Sequence, residues 1–222
     1  GVGEWTTSSV CIGKNNRIEI QKELHFPHSI GLLYSAFTNY LGFKVNSGEY
    51  KVMGLAPYGN ELSLIPNSNK TYKEVFEEIV YPVGDYDIRV NPEWTVFHKV
   101  RDKWVSDKFI DLFGPKRNWE DPITEVHKNI ATALQRRLEE IVISQIKKAK
   151  EKTGIDKICI SGGVGLNCSL NGKIERSKIF DEIFVQPASG DSGVSIGACY
   201  LSAKRNNEKI KPEKWHNFYL GS

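Results

Sequence analysis

The alternation of short apolar stretches and helical patterns between residues 157 and 205 limits the possible folds of this chain more than any other feature. Strands are predicted at 157–161 and 182–186, and helices at 164–175 and 191–205. This order is typical of parallel strands covered by helices, because a helix is the usual connection between parallel neighbours. We therefore predict an α/β fold with a parallel sheet and helices on its faces.

The region before this unit predicts a hairpin and a long helix. Two β-rich stretches, 5–12 and 17–24, are separated by a GKNN turn and indicate a β-hairpin. A helix with regular apolar spacing is expected to start at Asp121-Pro122 and to end at Gly154. Proline favours the first helical turn and glycine favours the position after the last one.

Residues 59–118 are rich in Asn, Pro, Asp and aromatic residues, and we interpret them as an insertion. We expect this insertion to pack on its own aromatic side chains, including Trp94, Phe97 and Trp104. Residues 206–222 are predicted to form a polar tail. The other elements predicted from local pattern are helices over 28–42, 50–56, 72–79 and 107–113 and strands over 86–90 and 94–100.

Charge and composition exclude some partners. The 222-residue chain has 30 basic and 27 acidic residues, and its net charge of +3 is too balanced to indicate nucleic acid. No stretch approaches the ~18 apolar residues of a membrane span, and the start lacks the pattern of a signal peptide. We therefore expect a cytoplasmic protein with no membrane partner. Because the chain opens on Gly-Val-Gly without methionine, we also expect a fragment of a longer protein.

The cysteines and histidines do not indicate a zinc site or a nucleophile. Cys11, Cys159, Cys168 and Cys199 form no C-x-x-C pair, and we expect them to be buried free thiols. The 5 histidines do not cluster, and no Ser/His/Asp or Cys/His arrangement is visible. The sequence therefore leaves the catalytic residues unassigned.

Two adjacent glycines, Gly162 and Gly163, follow the first strand of the predicted parallel unit and precede a helix. Ligands of open α/β sheets bind outside the carboxyl ends of the strands. A glycine there lets a base or a phosphate reach the main chain. A tight turn with close strand–helix packing explains the same residues, and both explanations stay open. The pattern is neither a Walker loop nor G-x-G-x-x-G.

Three further motifs carry groups that suit a nucleotide or a metal. Asp191 opens the second helix and is either its N-cap or a carboxylate for a divalent metal site. Glu49 and Lys51 flank a tyrosine after a glycine; they suit ribose and phosphate, or are simply a first-turn glutamate and a solvated lysine. Gly1 and Gly3 precede the hairpin, where backbone N–H groups can hold a phosphate.

Five motifs in this order resemble the ATP-dependent O-carbamoyltransferases of the nodulation-factor and antibiotic-tailoring type. They are GVGEWTTSS at 1–9, HFPHSIGLLYSAFTNYLGF at 25–43, SGEYKVMGLAPYG at 47–59, ISGGVGLNCSLNGKI at 160–174 and VQPASGDSGVSIGA at 185–198. For residues 1–205 the resemblance implies the second ribonuclease-H-like lobe of the actin/sugar-kinase ATPase fold, a mixed sheet with helices on both faces. It is weakest over 60–118.

The resemblance implies an enzyme that makes carbamoyl-adenylate from carbamoyl phosphate and ATP. The enzyme then passes the carbamoyl group to a hydroxyl of a small molecule or glycan, using a further carboxy-terminal domain. Asp191 would be one ligand of a divalent metal, Fe²⁺ or Mg²⁺. By position, the resemblance assigns adenosine contacts to Gly162, Gly163, Val164 and Asn167, ribose contacts to Glu49 with Lys51 nearby, and phosphate contacts to Gly1 and Gly3.

Two parts of the family pattern do not occur in this chain. One is the H-x-x-x-H helix that supplies the other metal ligands, and the second is the aspartate before Gly1. The strand expected between 5–12 and 157–161 would end before residue 1, which leaves unpaired N–H and C=O groups at a sheet edge. We expect a rearranged hairpin or a partner chain there, and a homodimer through this edge is one option. We also expect the fragment to lack catalysis and to bind ATP weakly.

Two other functions stay open. The chain suits the nucleotide-binding lobe of a sugar-kinase-like or actin-like ATPase with another transfer reaction, which would not require carbamoyl phosphate. It also suits a non-catalytic interaction module of the same fold, which would not bind ATP. Neither the acceptor nor the role of residues 60–118 can be read from the sequence.

Overall fold

The computed structural model describes residues 1–15 and 17–209, so most of the predicted tail at 206–222 lies outside the described residues. The strands are β1 (Thr6–Lys14), β2 (Arg17–His25), β3 (Val80–Val83), β4 (Asp87–Val90), β5 (Lys157–Ile160) and β6 (Glu182–Val185). The helices are α1 (Ile30–Tyr40), α2 (Glu49–Leu55), α3 (Tyr72–Ile79), α4 (Asp107–Phe113), α5 (Glu125–Thr153), α6 (Cys168–Ser177) and α7 (Val194–Arg205). Short 3₁₀ turns lie at Ala56–Tyr58, Gly163–Leu166 and Asp191–Gly193. None of the helices in the described part has the length and apolar character needed to span a bilayer.

The first two strands form the predicted antiparallel hairpin. Asn15 in its turn has a φ of 50°, a left-handed conformation that asparagine tolerates better than most residues. Leu24 is the buried side chain of β2, whereas Ile18 and Ile20 are 78% and 61% exposed. The hairpin therefore forms from local sequence but contributes little to the core.

The core joins α1 and α5 to the insertion at 59–118. Phe37 of α1 is fully buried, and its ring centroid lies 4.9 Å from that of Phe76 in α3 and 5.2 Å from that of Phe109 in α4. Trp94, which was expected to hold the insertion together, also contacts Phe109, at 6.5 Å between ring centroids. Instead of packing only on its own aromatics, the insertion shares one core with α1.

Residues 94–100 do not form the predicted strand. The chain turns back at Val96, whose carbonyl accepts the N–H groups three and four residues later. The strand predicted over 86–90 is confirmed as β4, which pairs with β3. The sequence pattern did not reveal β3, because Pro82 within it disfavours a strand.

The long helix α5 ends where predicted but begins one turn later. Gly154 has a left-handed φ of 66°, and its N–H closes the last helical turn. The first helical residue is Glu125, not Asp121 or Pro122. The Asp121 carboxylate instead accepts the Asn118 N–H at 2.8 Å, which fixes a separate turn ahead of the helix. The predicted start is therefore wrong, because Asp121 caps a different structure.

The parallel pair is confirmed, and the single large sheet is not. β5 and β6 pair in parallel, with α6 between them in sequence and α7 after them. The described residues form three two-stranded sheets, β1–β2, β3–β4 and β5–β6, instead of one mixed sheet with helices on both faces. Residues 1–5 belong to no strand, and no described strand joins the β1–β2 hairpin to the β5–β6 pair. The result is a mixed α/β structure that is compatible with a ribonuclease-H-like lobe.

The second half of the parallel unit is poorly covered by the described chain. α7 contains no buried residue, and its Tyr200 and Leu201 are 44% and 49% exposed. Phe184 on β6 is 56% exposed. The expectation of buried thiols is wrong, since all four cysteines are free and exposed. Cys159 lies on the exposed face of β5 and Cys199 lies on α7, while Cys11 lies on the hairpin and Cys168 begins α6.

Candidate functional site

The loop after β5 and the loop after β6 lie side by side. The Gly162 N–H donates to the Ser189 carbonyl at 2.8 Å. Gly165 is buried against the same loop, where an added Cβ would lie 2.9 Å from Ser189 Oγ. Because both loops follow parallel strands, they form the edge at which α/β sheets bind ligands. Two of the motifs singled out in the sequence therefore meet at one place.

Gly162 and Gly163 are glycines for different reasons. Gly162 has a φ of 100°, which other residues rarely adopt, so the turn itself requires glycine there. Gly163 has no left-handed φ, and an added Cβ would meet no atom within 4 Å. Both residues are exposed. The protein's own structure thus explains Gly162, and it leaves the main chain of Gly163 open to contact from outside.

The start of α1 approaches the same loop. An added Cβ at Gly31 would overlap the Gly1 nitrogen and lie 3.4 Å from Val164 Cγ2. Ser29, the N-cap of α1, donates its hydroxyl to the Gly1 carbonyl at 2.8 Å. Val164 therefore packs toward α1, next to Gly1. The sequence pattern did not single out Gly31, because the backbone that packs against it, at Gly1, is distant in sequence.

Asp191 belongs to this edge as well. It is exposed and opens the 3₁₀ turn after β6. It lies two residues after Ser189, whose carbonyl accepts the Gly162 N–H, so Asp191 follows the contact between the two loops. The surface formed by Gly1, Gly31, Gly162, Gly163 and Asp191 is called the glycine edge below.

The expected metal would have one candidate ligand in this part of the chain. Across residues 1–15 and 17–209, no group of three or more His, Cys, Asp or Glu side chains could hold a metal ion. Protein-bound divalent ions take four or more ligands. Asp191 alone does not complete a metal site, and water, phosphate oxygens or side chains outside the described residues would have to supply the other ligands.

Glu49 is held by the protein through both oxygens. Its Oε1 accepts from the Ser35 hydroxyl at 3.0 Å and from the Asn46 N–H at 3.0 Å. Its Oε2 accepts from the Gly48 N–H at 3.2 Å. Ser35 is one turn along α1 from Gly31, so Glu49 lies beside the glycine edge. A carboxylate has about four acceptor positions, which leaves one for a ligand hydroxyl.

Lys51 and Gly3 are engaged elsewhere. Lys51 Nζ lies 4.3 Å from the ring centroid of Trp119, a cation–π arrangement. It is two residues from Glu49, and side chains two apart do not share a helix face. The Gly3 N–H donates to the Thr6 carbonyl at 2.9 Å. The structure therefore does not bring Lys51 together with Glu49, and it uses the Gly3 N–H within a turn.

Asn167 caps α6 and faces the interior. Its Oδ1 accepts the Leu170 N–H at 2.9 Å. Its amide also pairs with the amide of Gln135 through two hydrogen bonds, of 3.0 and 2.9 Å. Gln135 in turn accepts from the Tyr34 hydroxyl at 2.9 Å and donates to Glu139 at 2.8 Å. The side chains of Tyr34, Gln135, Glu139 and Asn167 are called the amide network below.

Gln135 and Glu139 were not recognised in the sequence, although they are 4% and 2% exposed. They are four residues apart on one face of α5, next to the buried Leu134 and Leu138. Buried polar groups need hydrogen-bonding partners. Polar residues at helical spacing within an apolar pattern are the signal that could have revealed them.

The described residues form a mixed α/β domain, and the glycine edge lies at the carboxyl ends of its parallel strands. A family model described as carbamoyltransferase N-terminus matches residues 1–200. The chain belongs to the carbamoyltransferase family and corresponds to its N-terminal domain. The family resemblance found in the sequence motifs is thereby confirmed.

Several relatives match across the whole chain. Nodulation protein NolNO of Sinorhizobium fredii is 33% identical, with 100% of this chain and 30% of the relative covered. Nodulation protein NolO of Bradyrhizobium diazoefficiens is 31% identical, with 100% and 37% covered. The uncharacterized protein sll1178 of Synechocystis sp. is 41% identical, with 100% and 35% covered. The chain therefore spans about a third of the length of these curated relatives.

Proposed function

We propose that this chain is the nucleotide-binding part of an ATP-dependent carbamoyltransferase. The enzyme forms carbamoyl-adenylate from carbamoyl phosphate and ATP, and it transfers the carbamoyl group to a hydroxyl of a small molecule or glycan. Family membership supports the carbamoyl transfer. The observation that carries the nucleotide role is Gly163, an exposed glycine that neither its backbone conformation nor its packing requires.

In this proposal the adenosine lies against the main chain of Gly162 and Gly163. Open space in front of both residues supports this placement, because a flat base needs close approach to the backbone. Glu49 has an acceptor position left for a ribose hydroxyl. Val164 supports the turn from behind by packing toward α1. Asn167 acts through the position of α6, since most of its amide is already engaged.

The phosphates are placed next to Gly1 and Asp191. Asp191 would supply one ligand to a divalent metal, Fe²⁺ or Mg²⁺, and the metal would offset phosphate charge when bound. Gly3 lies two residues from Gly1, and its main chain would border the phosphates. Lys51 would reach a nucleotide only by leaving the ring of Trp119. A cytoplasmic location follows from the requirement for ATP.

The proposal is tested by titrating ATP with Mg²⁺ into the full-length protein and into the 222-residue chain. Water releases phosphate from carbamoyl phosphate, and the resulting carbamate displaces pyrophosphate from ATP to form the adenylate. Pyrophosphate release with and without carbamoyl phosphate therefore measures the reaction. We expect release only when carbamoyl phosphate is present, and only from the full-length protein. The isolated chain should bind ATP weakly and should not turn over.

Gly163→Val and Gly13→Val form a matched pair for this test. At both positions an added Cβ meets no atom within 4 Å, and neither residue has a left-handed φ. We expect Gly163→Val to weaken ATP binding by about tenfold, the loss for ~1.4 kcal/mol of contact. Gly13→Val on the hairpin should leave ATP binding unchanged. Equal affinities for both variants would contradict an adenosine at Gly163.

The same assays separate the alternative functions. ATP turnover that does not need carbamoyl phosphate would favour a sugar-kinase-like or actin-like ATPase. No ATP binding by the full-length protein would contradict the nucleotide role and favour a non-catalytic interaction module.

The open sheet edges suit a further polypeptide partner as part of the same proposal. Exposed Phe184 and the absence of buried residues on α7 support a covering segment at that surface. The covering segment is either the rest of the enzyme or a second copy. Light scattering separates the two, because a homodimer of the isolated chain would have twice the mass of the monomer.

A further inference from the structure

We propose that Tyr34, Gln135 and Glu139 are positioning residues, which fix the Asn167 amide and through it the glycine turn for nucleotide binding. The inference rests on the proposed function, because it assigns the network to the same ligand. None of the three side chains belongs to the glycine edge. They act from behind it, across the contact of α1, α5 and α6.

The first step is the orientation of Gln135. Its Oε1 accepts from the Tyr34 hydroxyl at 2.9 Å and from Asn167 Nδ2 at 2.9 Å. Its Nε2 donates to Glu139 Oε1 at 2.8 Å and to Asn167 Oδ1 at 3.0 Å. All four hydrogen-bonding positions of this buried amide are used. A flipped Gln135 amide would place its oxygen against the Glu139 carboxylate and Asn167 Oδ1, and its nitrogen against Asn167 Nδ2, so only one orientation fits.

The second step is the charge that selects this orientation. An ionised carboxylate only accepts hydrogen bonds, so Glu139 must face Nε2 of Gln135. Burial by itself raises the pKa of Glu139, but hydrogen bonds from Gln135, Lys173 and Ser169 outweigh it and hold the pKa below its usual value. Ser169 donates at 2.7 Å, and Lys173 forms an ion pair with the same carboxylate. Glu139 therefore stays charged and keeps the amide fixed.

The third step connects Asn167 to the glycine turn. The Asn167 N–H donates to the Val164 carbonyl at 3.0 Å, within the turn that begins at Gly163. Asn171, one turn further on α6, donates to the Gly165 carbonyl at 2.7 Å. A rotation of Asn167 would therefore shift α6 and the turn together. The position of the exposed glycine main chain depends on this buried amide.

The experiment compares Tyr34→Phe with Tyr40→Phe in the full-length protein. Both tyrosines lie on α1, are 5% and 1% exposed, and donate their hydroxyls to hydrogen bonds. Tyr34 bonds Gln135, whereas Tyr40 bonds the backbone carbonyls of Phe113 and Gly114 in the insertion. The substitution, the helix and the burial are thus matched, and only the connection to Asn167 differs.

We expect Tyr34→Phe to raise the KM for ATP about fivefold, the loss expected for one net hydrogen bond, while kcat changes less than about twofold. Tyr40→Phe should leave the KM for ATP unchanged. Amide hydrogen exchange of the ligand-free proteins supplies a second readout. Exchange at residues 163–170 should accelerate in Tyr34→Phe and not in Tyr40→Phe.

Two negative results are distinguishable. Wild-type protein that binds ATP, with equal KM values and equal exchange in both variants, would overturn the positioning role and keep the proposed function. Wild-type protein that does not bind ATP would overturn the proposed function and this inference with it. If Tyr34→Phe does not fold, Ser169→Ala replaces it, since that change removes one hydrogen bond from Glu139 at a partly exposed position.

Discussion

The core around α1, α5 and the insertion is closed, whereas the parallel pair and α7 are open. Phe37 and Phe109 in the core are fully buried, while Phe184 on β6 is 56% exposed and α7 has no buried residue. The two regions contain similar apolar residues. An apolar sequence therefore identifies faces that are expected to be buried. It does not show whether the described chain itself buries them.

The largest expected difference comes from one substitution made in both regions. Phe109→Ala should destabilise the protein by about 3–5 kcal/mol, because it leaves a cavity in a closed core. Phe184→Ala in the 222-residue chain should cost less than about 1 kcal/mol, as expected for a surface position. Urea unfolding measures both free energies. Similar losses in the isolated chain would remove the distinction between the two regions.

The same two substitutions, made in the full-length protein, test whether the open face is covered there. If the open face is covered there, Phe184→Ala should become markedly more destabilising, while the cost of Phe109→Ala stays the same. An unchanged, small effect of Phe184→Ala would contradict a covering segment over β6.

The amide network joins the closed region to the open one, and Glu139→Gln tests that connection. We expect a loss of about 2 kcal/mol at pH 7, as for hydrogen bonds to a charged group. The folded-state pKa of Glu139 lies below its ordinary value of 4.5, so its contribution is complete above that pH. It is lost as pH falls through the folded-state pKa. The stability difference between wild type and variant should therefore shrink in that acidic range.

Glu140→Gln is the control for this pH dependence. Glu140 is the next residue on α5, but its side chain is 43% exposed and pairs with Arg137 at the surface. It should change stability by about 0.5 kcal/mol or less. A wild-type minus Glu139→Gln difference that stays constant from pH 7 into the acidic range would show that the charge of Glu139 is not the cause.

In the open region, substitutions of the two adjacent glycines should have different effects on stability and on ATP binding. Gly162→Ala should cost about 1–2 kcal/mol of stability, since alanine is strained at a φ of 100°. Gly163→Ala should leave stability almost unchanged and should still weaken ATP binding. Thermal unfolding and ATP titration on both variants give the comparison. A stability loss at Gly163 equal to that at Gly162 would mean that both residues serve the turn.

The smallest expected effect concerns Lys51, at the surface of the closed region. Lys51→Met should cost about 0.5–1 kcal/mol from the lost cation–π contact with Trp119. Lys108→Met is the comparison, because Lys108 Nζ lies 4.4 Å from the ring centroid of Trp94, although this lysine also pairs with Glu93 at 2.6 Å. Neither change should alter the affinity for ATP. Weaker ATP binding by the Lys51 variant alone would show that this lysine leaves Trp119 for the nucleotide.

Sequence signals predicted the elements that depend on local interactions. The hairpin at 5–24 and the end of α5 at Gly154 are set by turn residues close to them in sequence, and both predictions are confirmed. The start of α5 was misplaced, because Asp121 has two structures that it can cap and the sequence does not choose between them. The three separate sheets were not predicted for a different reason, since strand partners depend on segments that are distant in sequence.

The candidate site was predictable only at positions where the residue type alone indicates a role for the backbone or a charge. Gly162 and Asp191 stood out, because glycine and aspartate directly after predicted strands suit a ligand site as well as a turn or a helix cap. Gly31 could not be predicted, since a side chain there would overlap the backbone of Gly1, thirty positions earlier in the chain. Gln135 was equally hidden, because its partners lie on α1 and α6 and meet it only after folding.

The paired amides of Gln135 and Asn167 have a consequence for how the family can evolve. Replacing either residue alone leaves the other with buried hydrogen-bonding groups that have lost their partner, which costs about 1–3 kcal/mol. A different polar pair that satisfies the same partners would avoid that cost, but it can be reached only through a weakened single change. We therefore expect the two positions to vary together among related proteins, with few sequences carrying one replacement without the other.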